Sequence, residues 1–210
     1  PTTTFSPANS ATSVAVASNI TLTFNEAVRL TNNTALDNSN VDALITLKED
    51  NASGADIAFD ATINGGKTVI TINPDSNLSS SQVVYVAIGT SVEDASNNAI
   101  NAANASFTAA DILAPTTTFS PANSATSVAV ASNITLTFNE AVRLTNNSAL
   151  DDSNVDALIT LKEDNASGAD IAFNATINGG KTVITINPDS NLSSSQVVYV
   201  AIGTSVEDAS

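Results

Sequence analysis

The sequence predicts an all-β protein built as two sandwich domains in tandem, and three observations carry that prediction. One long segment occurs twice, each copy alternates apolar and polar residues at period two, and turn residues interrupt these runs roughly every 8 to 12 positions. No stretch sustains a helical period.

The repeat sets the domain organisation. Pro1-Thr2-Thr3-Thr4-Phe5-Ser6-Pro7 returns as Pro115-Thr116-Thr117-Thr118-Phe119-Ser120-Pro121, an offset of 114. Residues 115–210 align with residues 1–96 and differ at three positions, where Thr34, Asn38 and Asp60 become Ser148, Asp152 and Asn174. Such similarity points to a recent duplication within a tandem array. The period is too long for a solenoid unit of about 20 to 50 residues and suits independently folded modules. The domains are read as 1–114, with a linker at about 110–115, and 115–210. The second copy reaches the counterpart of Ser96, so it lacks the counterpart of 97–114, and with it the segment Ala105-Ser106-Phe107-Thr108-Ala109 that reads as a closing strand. Two expectations follow from that open edge. Either the sequence is a window on a longer array, or a neighbouring chain donates the strand.

Within one copy the elements follow in order. Ile20, Leu22 and Phe24 alternate with Thr21 and Thr23, a half-buried strand; Ala43, Ile45 and Leu47 repeat the pattern. Residues 56–63 and 67–72 flank Asn64-Gly65-Gly66, a hairpin signal because Asn and Gly both tolerate positive φ. Val83-Val84-Tyr85-Val86-Ala87-Ile88 is continuous, as expected of a central strand buried on both faces. Ser6-Pro7-Ala8-Asn9 and Asn73-Pro74-Asp75-Ser76 are turns by Pro and Asx chemistry. Phe5, Phe24, Phe59, Phe107 and Tyr85 read as core. About seven short strands in about 100 residues is the pattern of an immunoglobulin-like sandwich.

Composition excludes most other readings. Of 210 residues, 21 are Asp or Glu and 6 are Lys or Arg, a net charge of −15; there is no His, Cys, Met or Trp. Without His the usual general base and zinc ligand are gone; without Cys there are no thiol nucleophiles, disulfides or iron–sulfur sites. The negative charge repels nucleic acid and anionic lipid, and no apolar run approaches the ~20 residues of a membrane helix. With no initiator Met and no leader at Pro1, the chain reads as a mature or excised piece of something longer.

Each copy also resembles the bacterial Ig-like repeat of S-layer proteins and large surface adhesins. The resemblance rests on Phe5-Ser6-Pro7-Ala8-Asn9-Ser10-Ala11-Thr12, on Ser18-Asn19-Ile20-Thr21-Leu22-Thr23-Phe24-Asn25-Glu26-Ala27-Val28, on the Tyr85-Val86 strand, and on Val92-Glu93-Asp94-Ala95-Ser96-Asn97-Asn98-Ala99. The family usually has Gly at the positions of Ser10 and of Asn97 or its neighbour; Asn can take the same left-handed conformation. The resemblance implies an extracellular or cell-surface stalk or spacer and no catalysis.

Calcium is the candidate ligand. In such a sandwich the loop after the second strand, the last hairpin turn and the incoming linker share one end, which would gather Asp111, Glu140, Glu207 and Asp208 as hard oxygen ligands. Glu26, Glu93 and Asp94 are the equivalents in the first copy. Equally, Asp94 and Asp208 can close Asx-turns and Glu26 and Glu140 can accept backbone N–H bonds. The pairs Glu49-Asp50 and Glu163-Asp164 precede hairpin tips and read as solvated turns. Lys48 and Lys67 fall on outward strand faces, which opposes a Ser–Lys dyad or a buried isopeptide lysine. The Asn-x-Ser/Thr triplets, such as Asn32-Asn33-Thr34 and Asn51-Ala52-Ser53, are possible glycan acceptors on an exported chain. Outward threonines such as Thr21 and Thr23 are either good strand formers or a surface for flat ligands and neighbouring filaments.

The leading expectation is a mechanical one: spacer modules of a long exported fibre or adhesin stalk, with Pro115 restricting the linker and adjacent identical repeats as partners. The competing expectation is a subunit of a self-assembling extracellular filament or S-layer, whose neighbouring chains complete one another by strand donation.

Overall fold

The computed structural model describes residues 1–209 and divides into two compact units, Pro1–Ile112 and Leu113–Ser210. Both are all-β; among the described residues the only helical turns are single 3-10 turns at Asp42–Leu44 and Asp156–Leu158.

The first unit contains β1 (Thr3–Ser6), β2 (Ile20–Phe24), β3 (Arg29–Leu30), β4 (Ile45–Glu49), β5 (Phe59–Ile63), β6 (Val69–Pro74), β7 (Val83–Ile88), β8 (Val92–Glu93) and β9 (Ala103–Thr108). One sheet has the order β1-β2-β6-β5 and the other β4-β7-β9, while β3 and β8 form a separate ribbon; every pairing is antiparallel. The inward residues follow from period two. Ile20, Leu22 and Phe24 of β2, Ile70 and Ile72 of β6, Val84, Val86 and Ile88 of β7, and Ala105 and Phe107 of β9 are buried in one cluster.

The second unit repeats this plan with β10 (Thr117–Ser120), β11 (Ile134–Phe138), β12 (Val142–Leu144), β13 (Ile159–Glu163), β14 (Phe173–Ile177), β15 (Val183–Pro188), β16 (Val198–Ile202) and β17 (Val206–Asp208). Its sheet order is β10-β11-β15-β14, with β13–β16 and β12–β17 as further pairs. Leu136, Leu150, Ile184 and Ile186 centre its core.

Three expectations need correction. β7 is not buried on both faces: its residues alternate, and Val83, Tyr85 and Ala87 point outward and are half-buried. Tyr85 therefore lies outside the core cluster, opposite Lys48 and Ser106 on the outer face. In the β5–β6 hairpin no glycine takes positive φ; Lys67 does, at 55°. The loop is longer than the two-residue turn: Asn64 N–H donates to the Val69 carbonyl and Lys67 N–H to that of Asn64. This puts the left-handed residue after the turn rather than inside it. The Asn64 Oδ1 then accepts from the N–H groups of Thr68 and Val69. Ser10 (φ 64°) and Asn97 (φ 66°) do take the left-handed conformation anticipated where the family has Gly. The hairpin-tip glycine Gly54 is needed for closeness: a Cβ there would stand 1.7 Å from the Glu49 carbonyl oxygen.

Strand edges are closed by side chains and loops. On β5 the outward N–H groups of Ala61 and Ile63 donate to Asp42 Oδ1 (2.7 Å) and Asn38 Oδ1 (3.0 Å). The second unit repeats both bonds with Asp156 (2.7 Å) and Asp152 (2.8 Å). Position 38/152 asks only for an acceptor oxygen, so the Asn-to-Asp difference between copies leaves the bond in place. Segment 9–14 covers the free edge of β9 through Ser10 N–H to the Ser106 carbonyl (2.6 Å) and Asn9 Oδ1 from the Ser106 N–H (2.9 Å). Asp42→Ala is expected to destabilise the first unit by about 1–3 kcal/mol, because the Ala61 N–H loses its partner; denaturant titration against wild type measures this, and no change would show that water replaces the carboxylate.

Candidate functional site

The carboxylates singled out in the sequence occupy different environments. In the first unit Asp94 is buried and its oxygens are taken: Oδ1 accepts from the N–H groups of Ser96 (2.7 Å) and Asn98 (2.9 Å), and Oδ2 from the Asn98 amide (2.8 Å). These bonds, the Asn98 side chain foremost, hold its carboxyl below the usual aspartate value of 3.8. Since the folded value lies below the unfolded one, the contribution to stability is complete above 3.8 and is lost as pH falls through the depressed value. Amide exchange at Ser96 and Asn98 is expected to stay slow down to that range and to accelerate only below it. Acceleration at higher pH would mean that Asp94 does not hold the turn.

Glu93 is 5% exposed and receives the Arg29 Nε at 3.2 Å. Arg29 also donates through Nη2 to Asn97 Oδ1 (2.8 Å) and the Ala95 carbonyl (3.4 Å), tying β3 to the turn after β8. Glu26 lies exposed beyond the end of β2.

In the second unit Glu207 pairs with Arg143 Nε at 3.0 Å. Its charge is thereby engaged. Glu140, two residues past β11, accepts from the Asn139 amide at 3.1 Å. Glu140 and Asp208 are half-buried, and a carboxylate oxygen of each lies within 4.8 Å of the other. Asp111 belongs to the first unit, where its Oδ1 accepts from Ser80 Oγ at 2.6 Å, and the same hydroxyl accepts from the Ile112 N–H at 2.9 Å. Sequence reading missed Arg29 and Arg143. They stand 64 residues from their partners, and only the β3–β8 and β12–β17 registers reveal that Arg29 faces Glu93 and Arg143 faces Glu207.

Glu49 and Asp50 are exposed at a hairpin tip, and Lys48 turns outward to Asp56 Oδ1 at 2.6 Å. Each unit also has a shallow cleft at the equivalent place, about 180 Å³ between Glu49, Asp75 and Gln82 and about 200 Å³ between Glu163, Asp189 and Gln196. Both fall short of the roughly 300–1,000 Å³ of small-molecule sites.

Two antiparallel sheets with inward aliphatic faces, repeated in tandem and edged by polar loops, define a class: Ig-like sandwich modules. The chain belongs to the bacterial Ig-like domain family, whose model matches residues 2–109 and again 111–210. No curated protein matches the chain. Among solved structures it is similar to the N-terminal part of the bacterial S-layer protein SbsC, at 12% identity over 94% of this chain and 43% of that one, TM-score 0.37. It is also similar to CopC from Methylosinus trichosporium OB3b (14% identity, 52% of this chain, 91% of that one, TM-score 0.35). A third is an L,D-transpeptidase from Mycobacterium smegmatis (12%, 95% and 88%, TM-score 0.34). The chain spans less than half of the S-layer polypeptide. Among the described residues no helix is long and apolar enough to cross a membrane.

Proposed function

We propose that the chain is a run of spacer modules from an exported bacterial surface fibre or adhesin stalk, acting mechanically. The observation that carries this is the near-identity of two whole units, each with its own core. The copies differ at 34/148, 38/152 and 60/174, all exposed, and nowhere in the core. A module whose task is length keeps its fold and repeats it, whereas a unique recognition site needs only one copy. The acidic surface keeps neighbouring repeats soluble. An antibody raised to the chain should label intact cells of the source bacterium, and brief protease treatment of those cells should remove the label. Labelling that requires lysis overturns the reading.

Calcium is a separate proposal. Its support is the proximity of Glu140 and Asp208 in the second unit; carbonyls or water would supply the rest of the six to eight oxygens. Glu207 is a weaker ligand because Arg143 holds it, and in the first unit Asp94 is saturated by N–H donors. Small-angle scattering and melting in calcium and then in chelator test it: an unchanged profile and melting temperature end the proposal. Strand donation between chains would instead exchange a strand such as β9, which pairs with β7 of its own unit along its full length. A mixed dimer exchanging β9 would be its signature.

A further inference from the structure

The outer face of the β1-β2-β6-β5 sheet stands apart in so acidic a chain. Its outward residues are Thr4 and Ser6 of β1, Thr21 and Thr23 of β2, Val69, Thr71 and Asn73 of β6, and Asp60 and Thr62 of β5. The register aligns them in rows across all four strands: Ser6 faces Thr21, Thr21 faces Thr71, and Thr71 faces Thr62. The second unit has the same row as Ser120, Thr135, Thr185 and Thr176. There the one carboxylate of the face, Asp60, is replaced by Asn174, so no ionisable side chain projects from β10, β11, β15 or β14 on that side. The other sheet differs, since Lys48 and Lys162 stand on its outer face beside Tyr85 and Tyr199.

We infer that this hydroxyl-bearing face is a lateral contact surface for the same face of a second copy of the chain. Charge is the first argument. At a net charge of −15 two copies repel one another, and the repulsion is least where they meet through this face, which carries Asp60 alone in the first unit and no charge in the second. Shape is the second. Sheets twist with one hand, so another sheet of equal twist packs against this one at about −30°. A flat crystalline lattice touches only part of a twisted face. Side chains recur about 4.8 Å apart across strands and about 6.7 Å apart along them, leaving gaps that the methyl and hydroxyl groups of an opposing threonine grid fill. The rows match in both units, so the contact is self-complementary.

Four short strands present an area on the order of 300 Å² per unit, below the roughly 800 Å² per partner of a stable pair. One unit alone therefore binds weakly, and successive units on one chain add by avidity. This lateral contact goes beyond the spacer reading and does not depend on it.

Sedimentation equilibrium of the 210-residue chain from micromolar to millimolar concentration tests the inference. Reversible association that strengthens with salt is expected, because salt screens the net charge. The double variant Thr71→Glu, Thr185→Glu sets carboxylates in the middle of both faces and should weaken association at least about tenfold. Thr46→Glu with Thr160→Glu adds the same charge to the other sheet and should leave it unchanged. If the first variant melts early, Thr23→Glu with Thr137→Glu, at exposed positions of the same face, replaces it. A monomer at every concentration and salt level overturns the inference, as does equal weakening by both sheets' variants. Retention on an insoluble neutral polysaccharide, lost in Thr71→Glu, Thr185→Glu while the chain stays monomeric, would assign the face to a glycan and overturn it as well.

Discussion

Arg29→Ala should destabilise the first unit by about 3 kcal/mol, whereas Arg143→Ala should cost the second unit no more than about 1 kcal/mol. The two arginines share a sequence context and differ in burial. Glu93 has a side chain 7% exposed and would be left as an uncompensated charge, while Glu207 is 36% exposed and water would replace the guanidinium. Arg29→Ala also removes the bond to Asn97, which fixes the left-handed residue of the last turn. Hydrogen exchange resolves the units through peptides containing Thr34 or Ser148 and Asn38 or Asp152, which differ in mass. A double change, Arg29→Met with Glu93→Leu, should recover most of the loss, since an ion pair and an apolar pair of similar volume are often equivalent. Equal effects in the two units would refute the burial argument. Arg29→Lys should fall between the extremes, because an ammonium cannot reproduce the fork that reaches both Glu93 and Asn97.

Phe107→Ala is the second large effect, expected at about 3–5 kcal/mol against the first unit alone. The side chain is 1% exposed, sits one residue before the end of β9 opposite Val84, and is among the largest fully buried groups of that core. A single domain has only about 5–15 kcal/mol in total, so the melting temperature of that unit should fall by more than about 10 °C. Calorimetry should then show two transitions, the upper one unmoved. A small shift of both together would mean that the units do not unfold independently. Phe107→Leu should recover about half of the loss, because it restores part of the buried volume.

Much of this molecule could be read from the chain. β2 and β9 follow from alternation, and the repeat divides the sequence without reference to any contact. The left-handed turns at Ser10 and Asn97 were legible only through the family resemblance, which has Gly at those positions. What sequence could not provide is register. Whether Arg29 meets Glu93, or whether Asn38 and Asp42 reach β5, depends on which residues meet across separations of 19 to 64 positions. Tyr85 was misread for a related reason: a continuous apolar run does not reveal that one face of its sheet looks outward. At the carboxylates the chain shows which residues are acidic, but their bonding partners, Asn98 for Asp94 and Arg143 for Glu207, become visible only once the turns are built.

The bond from Ile63 N–H to Asn38 has a bearing on how such a protein ages. Asparagine slowly hydrolyses to aspartate, and a long-lived protein accumulates the product. At position 38 the hydrolysed form would keep the oxygen that the backbone needs, and the second unit carries Asp152 at that place with the bond intact at 2.8 Å. Chemical decay at this edge would turn one repeat into the likeness of its neighbour and leave the strand closed.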